Sequence, residues 1–138
     1  MGLSPVLLAE IHAEAFESPW DEAAMASLLD SPGVFVRGDD QGFIMIRVIV
    51  DEAEILTVGV RPSARRGGRG RQLVQQAIVE SAARGAERMF LEVAESNEAA
   101  RSLYVSCGFE VVGQRRGYYQ RTDGSREDAL MMALKFPL

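Results

Sequence analysis

The chain carries a single cysteine, Cys107, in 138 residues, and this scarcity closes two routes: no intramolecular disulfide can form, and no cysteine pair exists to hold zinc. A reducing compartment is the expectation. No stretch approaches ~18 apolar residues, and Met1 to His12 lacks a basic region followed by a long apolar run. Neither a membrane helix nor a secretory leader is read, so the protein is expected in the cytoplasm without a membrane partner. A basic surplus is missing as well: 15 Lys+Arg stand against 20 Asp+Glu, giving a net charge of −5 and a pI near 4.9. That balance argues against a direct nucleic-acid partner. There is no internal repeat, linker or low-complexity tract. What is present is ordinary for a globular protein, 47% apolar and 25% charged residues, and the length fits one domain, 1–138, with a real core.

The chain is organised around the stretch from Ala53 to Arg84. Ile55, Leu56, Val58 and Val60 read as a buried strand that Pro62 stops, and a glycine-rich turn feeds into a helix with Leu73, Val74, Ala77, Ile78 and Ala82 on one face. Gly67, Gly68 and Gly70 leave backbone N–H groups uncovered at the helix start, where the dipole favours an anion. Arg61, Arg65, Arg66, Arg69 and Arg71 crowd the same turn of an otherwise acidic protein, which points to a polyanionic ligand. A Walker-type loop is excluded, because Gly70 is followed by Arg71 and Gln72, with neither the lysine nor the hydroxyl. A dinucleotide fingerprint is excluded too, because Leu73 stands where its third glycine belongs. The plain alternative is an Arg-rich loop relieved by glycine.

Around this unit, Pro5 to Ala15 reads as a helix and Glu22 to Leu29 as a second one capped by Asp21, with Ser18-Pro19-Trp20 breaking the chain between them. His12, the only histidine, reads as a surface or capping residue. Val34 to Arg37, Phe43 to Val50 and Ile55 to Val60 form an antiparallel meander. Arg88 to Val93, reached through a helix, lies parallel to the Ile55 strand. Ser96 or Asn97 caps a further helix that Gly108 closes, and Phe109 to Tyr118 and Ala129 to Phe136 are the final strands.

The spacing Arg65-x-x-Gly68-x-Gly70, followed by Leu91-Glu92-Val93, Asn97, Leu103-Tyr104 and Gly108-Phe109, resembles the acetyl-CoA site of the GNAT superfamily of N-acetyltransferases. Within it the chain is most similar to the RimI-like, ribosomal-protein-alanine N-acetyltransferase group. Shared words include Ser18-Pro19-Trp20, Asp51-Glu52-Ala53-Glu54-Ile55-Leu56, Gly117-Tyr118-Tyr119 and Arg126-Glu127-Asp128-Ala129. The likeness runs from Ala9 onward. It departs at Met1 to Ser4, too short for the family's usual first edge strand, and at Ala94, where the group often has arginine. The fold implied is α/β (α+β in some schemes): a mixed, mostly antiparallel twisted sheet with a central parallel splayed strand pair and helices on both faces.

The resemblance also implies acetyl-CoA as cosubstrate without a metal, and coenzyme contacts at Val58, Gly59 and Val60, at Arg65, Arg66, Gly67, Gly68, Arg69, Gly70 and Arg71, and at Asn97. Gly59 is expected to permit a β-bulge there. Glu92 matches the base and Tyr104 the general acid; their plain alternatives are a solvent-facing glutamate and a core tyrosine. Trp20, Tyr118 and Tyr119 are candidates to shape the entrance for a peptide end, and Glu54 to meet a basic group or the amine. The implied acceptor is a protein or peptide N-terminus, that of a ribosomal protein, and the implied state a monomer or weak homodimer. An acetyltransferase for a lysine side chain or small amine, or a non-catalytic coenzyme A-binding module, remain the competing readings.

Overall fold

The computed structural model describes residues 3–16, 19–65, 67–120 and 123–136. Helix α1 (Pro5–Ala15) starts where Ser4 Oγ accepts the Leu7 N–H at 3.2 Å, with Pro5 in the first turn, where its missing N–H costs nothing. Asp21 caps α2 (Glu22–Leu29) in the same way, its Oδ1 accepting from Ala24 N–H at 2.9 Å. The antiparallel meander comprises β1 (Val34–Asp39), β2 (Gly42–Ile49) and β3 (Glu52–Val60). A single 3-10 turn at Pro62–Ala64 leads into α3 (Arg69–Ala83), which Gly85 ends at φ +98°. Then follow β4 (Arg88–Ala94), α4 (Glu98–Ser106), β5 (Glu110–Gln120) and β6 (Arg126–Lys135).

The last strand returns between its predecessor and β4, so the sheet order is β1-β2-β3-β4-β6-β5, antiparallel except for β3 and β4. Both faces are covered. On one, Ile44, Ile46, Met89, Leu91 and Met132 pack beneath Leu73, Val74 and Ala77 of α3 and Tyr104 of α4. On the other, Phe43 and Met45 pack beneath Leu8 and Ile11 of α1 and Met25 of α2, all five fully buried. Each such side chain contributes roughly 1.5–3 kcal/mol relative to exposure.

Strands β3 and β4 pair over only three positions, Glu52 with Arg88, Ala53 with Met89 and Glu54 with Phe90. Beyond these, β3 stays with β2 as far as Val60 and β4 stays with β6 as far as Ala94, so the two central strands part. A bend in β3 has a local cause: Met45 pairs with Thr57 and Ile46 with Ile55, which leaves Leu56 as an extra residue. The bulge is therefore at Leu56 and not at Gly59, which pairs regularly with Phe43. Gly59 instead lies under α1. A Cβ there would stand 3.4 Å from the Phe43 ring and 3.7 Å from Ile11 and Phe16, an ordinary contact distance, so this position packs against α1 with or without a side chain. The bulge also resets side-chain alternation. Ile55 and Val58 join the α3 side, whereas Leu56 and Thr57 both face α1.

Candidate active site

Two adjoining cavities of about 320 and 440 Å³ occupy the opening between β3 and β4, and both are bordered by Phe16, Val58, Asn97, Ala100 and Tyr104. The smaller continues to Glu92, Tyr119, Trp20, His12 and Thr57; the larger continues to Val60, Arg65, Gly68, Arg69, Gly70 and Arg71. Together they make a channel from the glycine-rich turn to Glu92. A cavity of about 810 Å³ lies on the outer side of α3, against Arg37 and Asp39, and shares only Arg69 with this channel. Its size does not make it the site, because it has neither the strand opening nor the candidate acid and base.

At the turn, Gly68 sits at φ +74° as the N-cap of α3, with no side chain capping the first-turn amides. A Cβ on Gly67 or Gly68 would meet nothing within 4 Å, so the approach to those amides is open. Gly70 borders the larger cavity and also lies close to α4, where a Cβ would stand 3.2 Å from Leu103 Cδ2 and press on that side chain. The arginines divide. Arg61 turns away to Glu14, to Glu10 at 3.3 Å and to the Asp40 carbonyl at 2.7 Å. Arg69 reaches Asp39 at 2.9 Å; the Gln41 backbone N–H, with Arg69 adding to it, holds that carboxyl below the usual range. Arg65 donates through Nε to the Val60 carbonyl at 3.1 Å, and neither Arg65 nor Arg71 has an acidic partner among the described residues. Arg66 lies outside the described residues.

Asn97 caps α4, its Oδ1 accepting from Ala100 N–H at 3.2 Å, which leaves its side-chain N–H groups for the cavity. Tyr104 is 8% exposed and packs on Phe109. Burial pushes its phenol up to about 12, and Cys107 and Tyr119 act in the same direction. Across the cavity Glu92 comes from β4, on the face opposite Leu91 and Val93, with Arg115 Nη2 at 3.4 Å. An irregularity between Arg115 and Tyr119, centred on Gly117 at φ +59°, turns Tyr119 into the cavity, where burial and then the Glu92 charge raise its phenol. Tyr118 is left outside, 48% exposed, edge-on to Tyr119 and beneath Arg115. Asp128 takes the Gly117 N–H at 2.8 Å and so holds the irregularity in place.

Of the residues singled out from the sequence, Gly59, Gly67, Glu54 and Tyr118 do not border either cavity. Glu54 faces Arg47 across the β2–β3 pair. The sequence reading missed His12, which is not a surface residue at all. It is 2% exposed, stacked on Phe16 and Trp20, and burial holds its imidazole down to about 4. Its position beside Ile11 on the inner side of α1 was the available signal. Thr57 was missed because an uninterrupted alternation would have placed it in the other core.

The wall of one cavity thus offers a carboxylate and a protonated phenol, and the far end offers amides and guanidinium groups suited to phosphate. Residues 6–109 match the acetyltransferase (GNAT) family. Over 129 residues, 91% of this chain and 85% of the relative, the sequence is 40% identical to the [ribosomal protein bS18]-alanine N-acetyltransferase of Escherichia coli (strain K12). The crystal structure of the ribosomal-protein-S18-alanine N-acetyltransferase from Escherichia coli superposes with a TM-score of 0.87 at 35% identity, covering 97% of this chain and 88% of that one. Arabidopsis thaliana NAA60 in complex with acetyl-CoA shares the fold, with a TM-score of 0.81 at 18% identity over 95% of this chain and 93% of that one. The chain belongs to the acetyltransferase (GNAT) family and is an acetyl-CoA-dependent N-acetyltransferase.

Proposed function

We propose that this enzyme acetylates the α-amino group of a protein N-terminus, that of a ribosomal protein in the cytoplasm, by direct attack of the amine on acetyl-CoA in a ternary complex. The observation that carries this reading is the 40% identity, over 91% of the chain, to an enzyme named for alanine acetylation on ribosomal protein bS18. The pyrophosphate would lie on the first-turn amides of α3 between Arg65 and Arg71, and the amide-rich pantetheine arm along the unpaired edge of β3 at Val58, with Asn97 opposite. Backbone N–H groups of that edge would meet the developing oxyanion.

An α-amino group has a pKa of about 7.7–8.0, so a modest base suffices, and Glu92 takes that role. Tyr104 assists departure of the thiolate. With its phenol at about 12, complete proton transfer to a thiolate whose acid has a pKa of about 8.5 is uphill, so Tyr104 acts first as a hydrogen-bond donor to the sulfur. The test is acetyl-CoA offered with an Ala-initiated peptide containing one internal lysine, followed by free-thiol release and mass-spectrometric placement of the acetyl group. An acetyl group on the α-nitrogen is expected; modification confined to lysine would overturn the reading.

A further inference from the structure

None of the roles above uses His12, although both of its ring nitrogens are engaged inside the site. Nδ1 accepts the Trp20 backbone N–H at 3.0 Å, and Nε2 lies 3.1 Å from Thr57 Oγ1. These contacts settle the tautomer. A backbone N–H can only donate, so Nδ1 carries no hydrogen, and the neutral ring must carry its hydrogen on Nε2 and donate it to Thr57. The low imidazole pKa of about 4 keeps the ring in this form. A hydroxyl has two lone pairs and one hydrogen. His12 occupies a lone pair of Thr57, whose own hydrogen finds no protein acceptor among the described residues. Thr57 and His12 both border the 320 Å³ cavity, together with Glu92.

We propose that the Thr57 hydroxyl donates to the first backbone carbonyl of the incoming peptide, and that His12 is the positioning residue that fixes the direction of that hydroxyl. This rests on the α-amine reading above and adds to it a reason for choosing an α-amine. In a peptide N-terminus the amine nitrogen is two bonds from a carbonyl carbon; a lysine ε-amine or a polyamine has no such neighbour. Glu92 accepts from the amine and Thr57 donates to the carbonyl, so the cavity holds two groups of opposite polarity for two groups of opposite polarity. The bulge at Leu56 is what brings Thr57 to this face. Without the extra residue its side chain would point into the α3 core.

The experiment is a cycle of enzyme and substrate. Thr57→Val and Thr57→Ser are compared on an Ala-initiated peptide and on the same peptide with its first amide replaced by a trans alkene, which removes the carbonyl while keeping the chain's shape. For the native peptide kcat/KM should fall about 10-fold in Thr57→Val, mainly through KM, and Thr57→Ser should restore it; for the alkene the change should stay under about twofold. Equal losses on both substrates, or no loss on either, would overturn the inference. The wild-type protein gives a second reading that needs no substitution: the ¹⁵N shifts of His12 at neutral pH should report a neutral ring protonated at Nε2. A ring protonated at Nδ1, or charged, would also overturn it. Product analysis separates this from the underlying reading, since α-acetylation without any Thr57 coupling removes only the inference, and absence of α-acetylation removes both.

Discussion

Acidification below about pH 6.5 should weaken this fold first through His12. In the unfolded chain the imidazole titrates near its ordinary 6.5, and in the fold burial holds it at about 4. Between those values the unfolded chain binds a proton that the folded protein refuses. The contribution is therefore fully present above about pH 6.5 and is lost as the pH falls toward 4. For a single site with these two pKa values the loss is about 2 kcal/mol by pH 5 and about 3 kcal/mol by pH 4. Against a total of roughly 5–15 kcal/mol this is a large share. The structure shows why the proton is refused: on Nδ1 it would face the Trp20 N–H, donor against donor, at 3.0 Å. Urea unfolding of wild type and His12→Gln, measured at intervals from about pH 7.5 to 4.5, isolates this term, because the carboxylates titrate in both proteins. The variant should be less stable at neutral pH, and its stability should fall less steeply on acidification. Parallel stability curves for the two proteins would show that His12 titrates as a solvated imidazole, and the buried arrangement would be refuted.

Glu92→Gln keeps the shape of the side chain and removes the base, so turnover at neutral pH should fall about 10²–10⁴-fold, with partial recovery at higher pH; near-full turnover across the range would remove Glu92 from this role. Tyr104→Phe should lower kcat and kcat/KM together without rescue by raising the pH, and a pH-dependent recovery would contradict its assignment to the sulfur. Gly68→Asp places a negative charge and a Cβ where φ is +74°, and should weaken acetyl-CoA binding by about 10–100-fold by calorimetry; unchanged affinity at matched ionic strength would remove the phosphate from this turn. Gly70→Val should lower the melting temperature by pressing on Leu103, and an unchanged value would mean that α4 yields freely there.

Much of the fold was legible because its signals are local. Ser4 and Asp21 cap the helices they precede, Gly85 ends α3, and the crossover from β3 through α3 fixes β4 as a parallel neighbour. The glycines and arginines that border the larger cavity were legible for the same reason, since they are contiguous. What escaped depends on contacts between distant segments. Nothing in the stretch Phe109 to Phe136 says that β6, not β5, adjoins β4, because both strands carry turn signals at the same junction. The bulge at Leu56 is set by pairing with β2, and the hydrogen bond of His12 reaches Thr57, 45 positions away. Gly59 was assigned to a bulge that the pairing of β2 with β3 puts at Leu56 instead.

An open sheet ordinarily has two edges, and this one has four. Besides β1 and β5, the stretch of β3 beyond Glu54 and that of β4 beyond Phe90 each have one side without a strand partner, in the middle of the molecule. Unpaired strand edges are the templates on which chains aggregate, and proteins commonly blunt them with charge or cover them. Here the cover is side chains, Phe16 at the end of α1 on one flank and Asn97, Ala100 and Tyr104 around α4 on the other, and the space they leave is the two adjoining cavities of about 320 and 440 Å³. The side chains over the inner edges therefore blunt them as templates for aggregation while leaving their hydrogen bonds to whatever enters the two cavities.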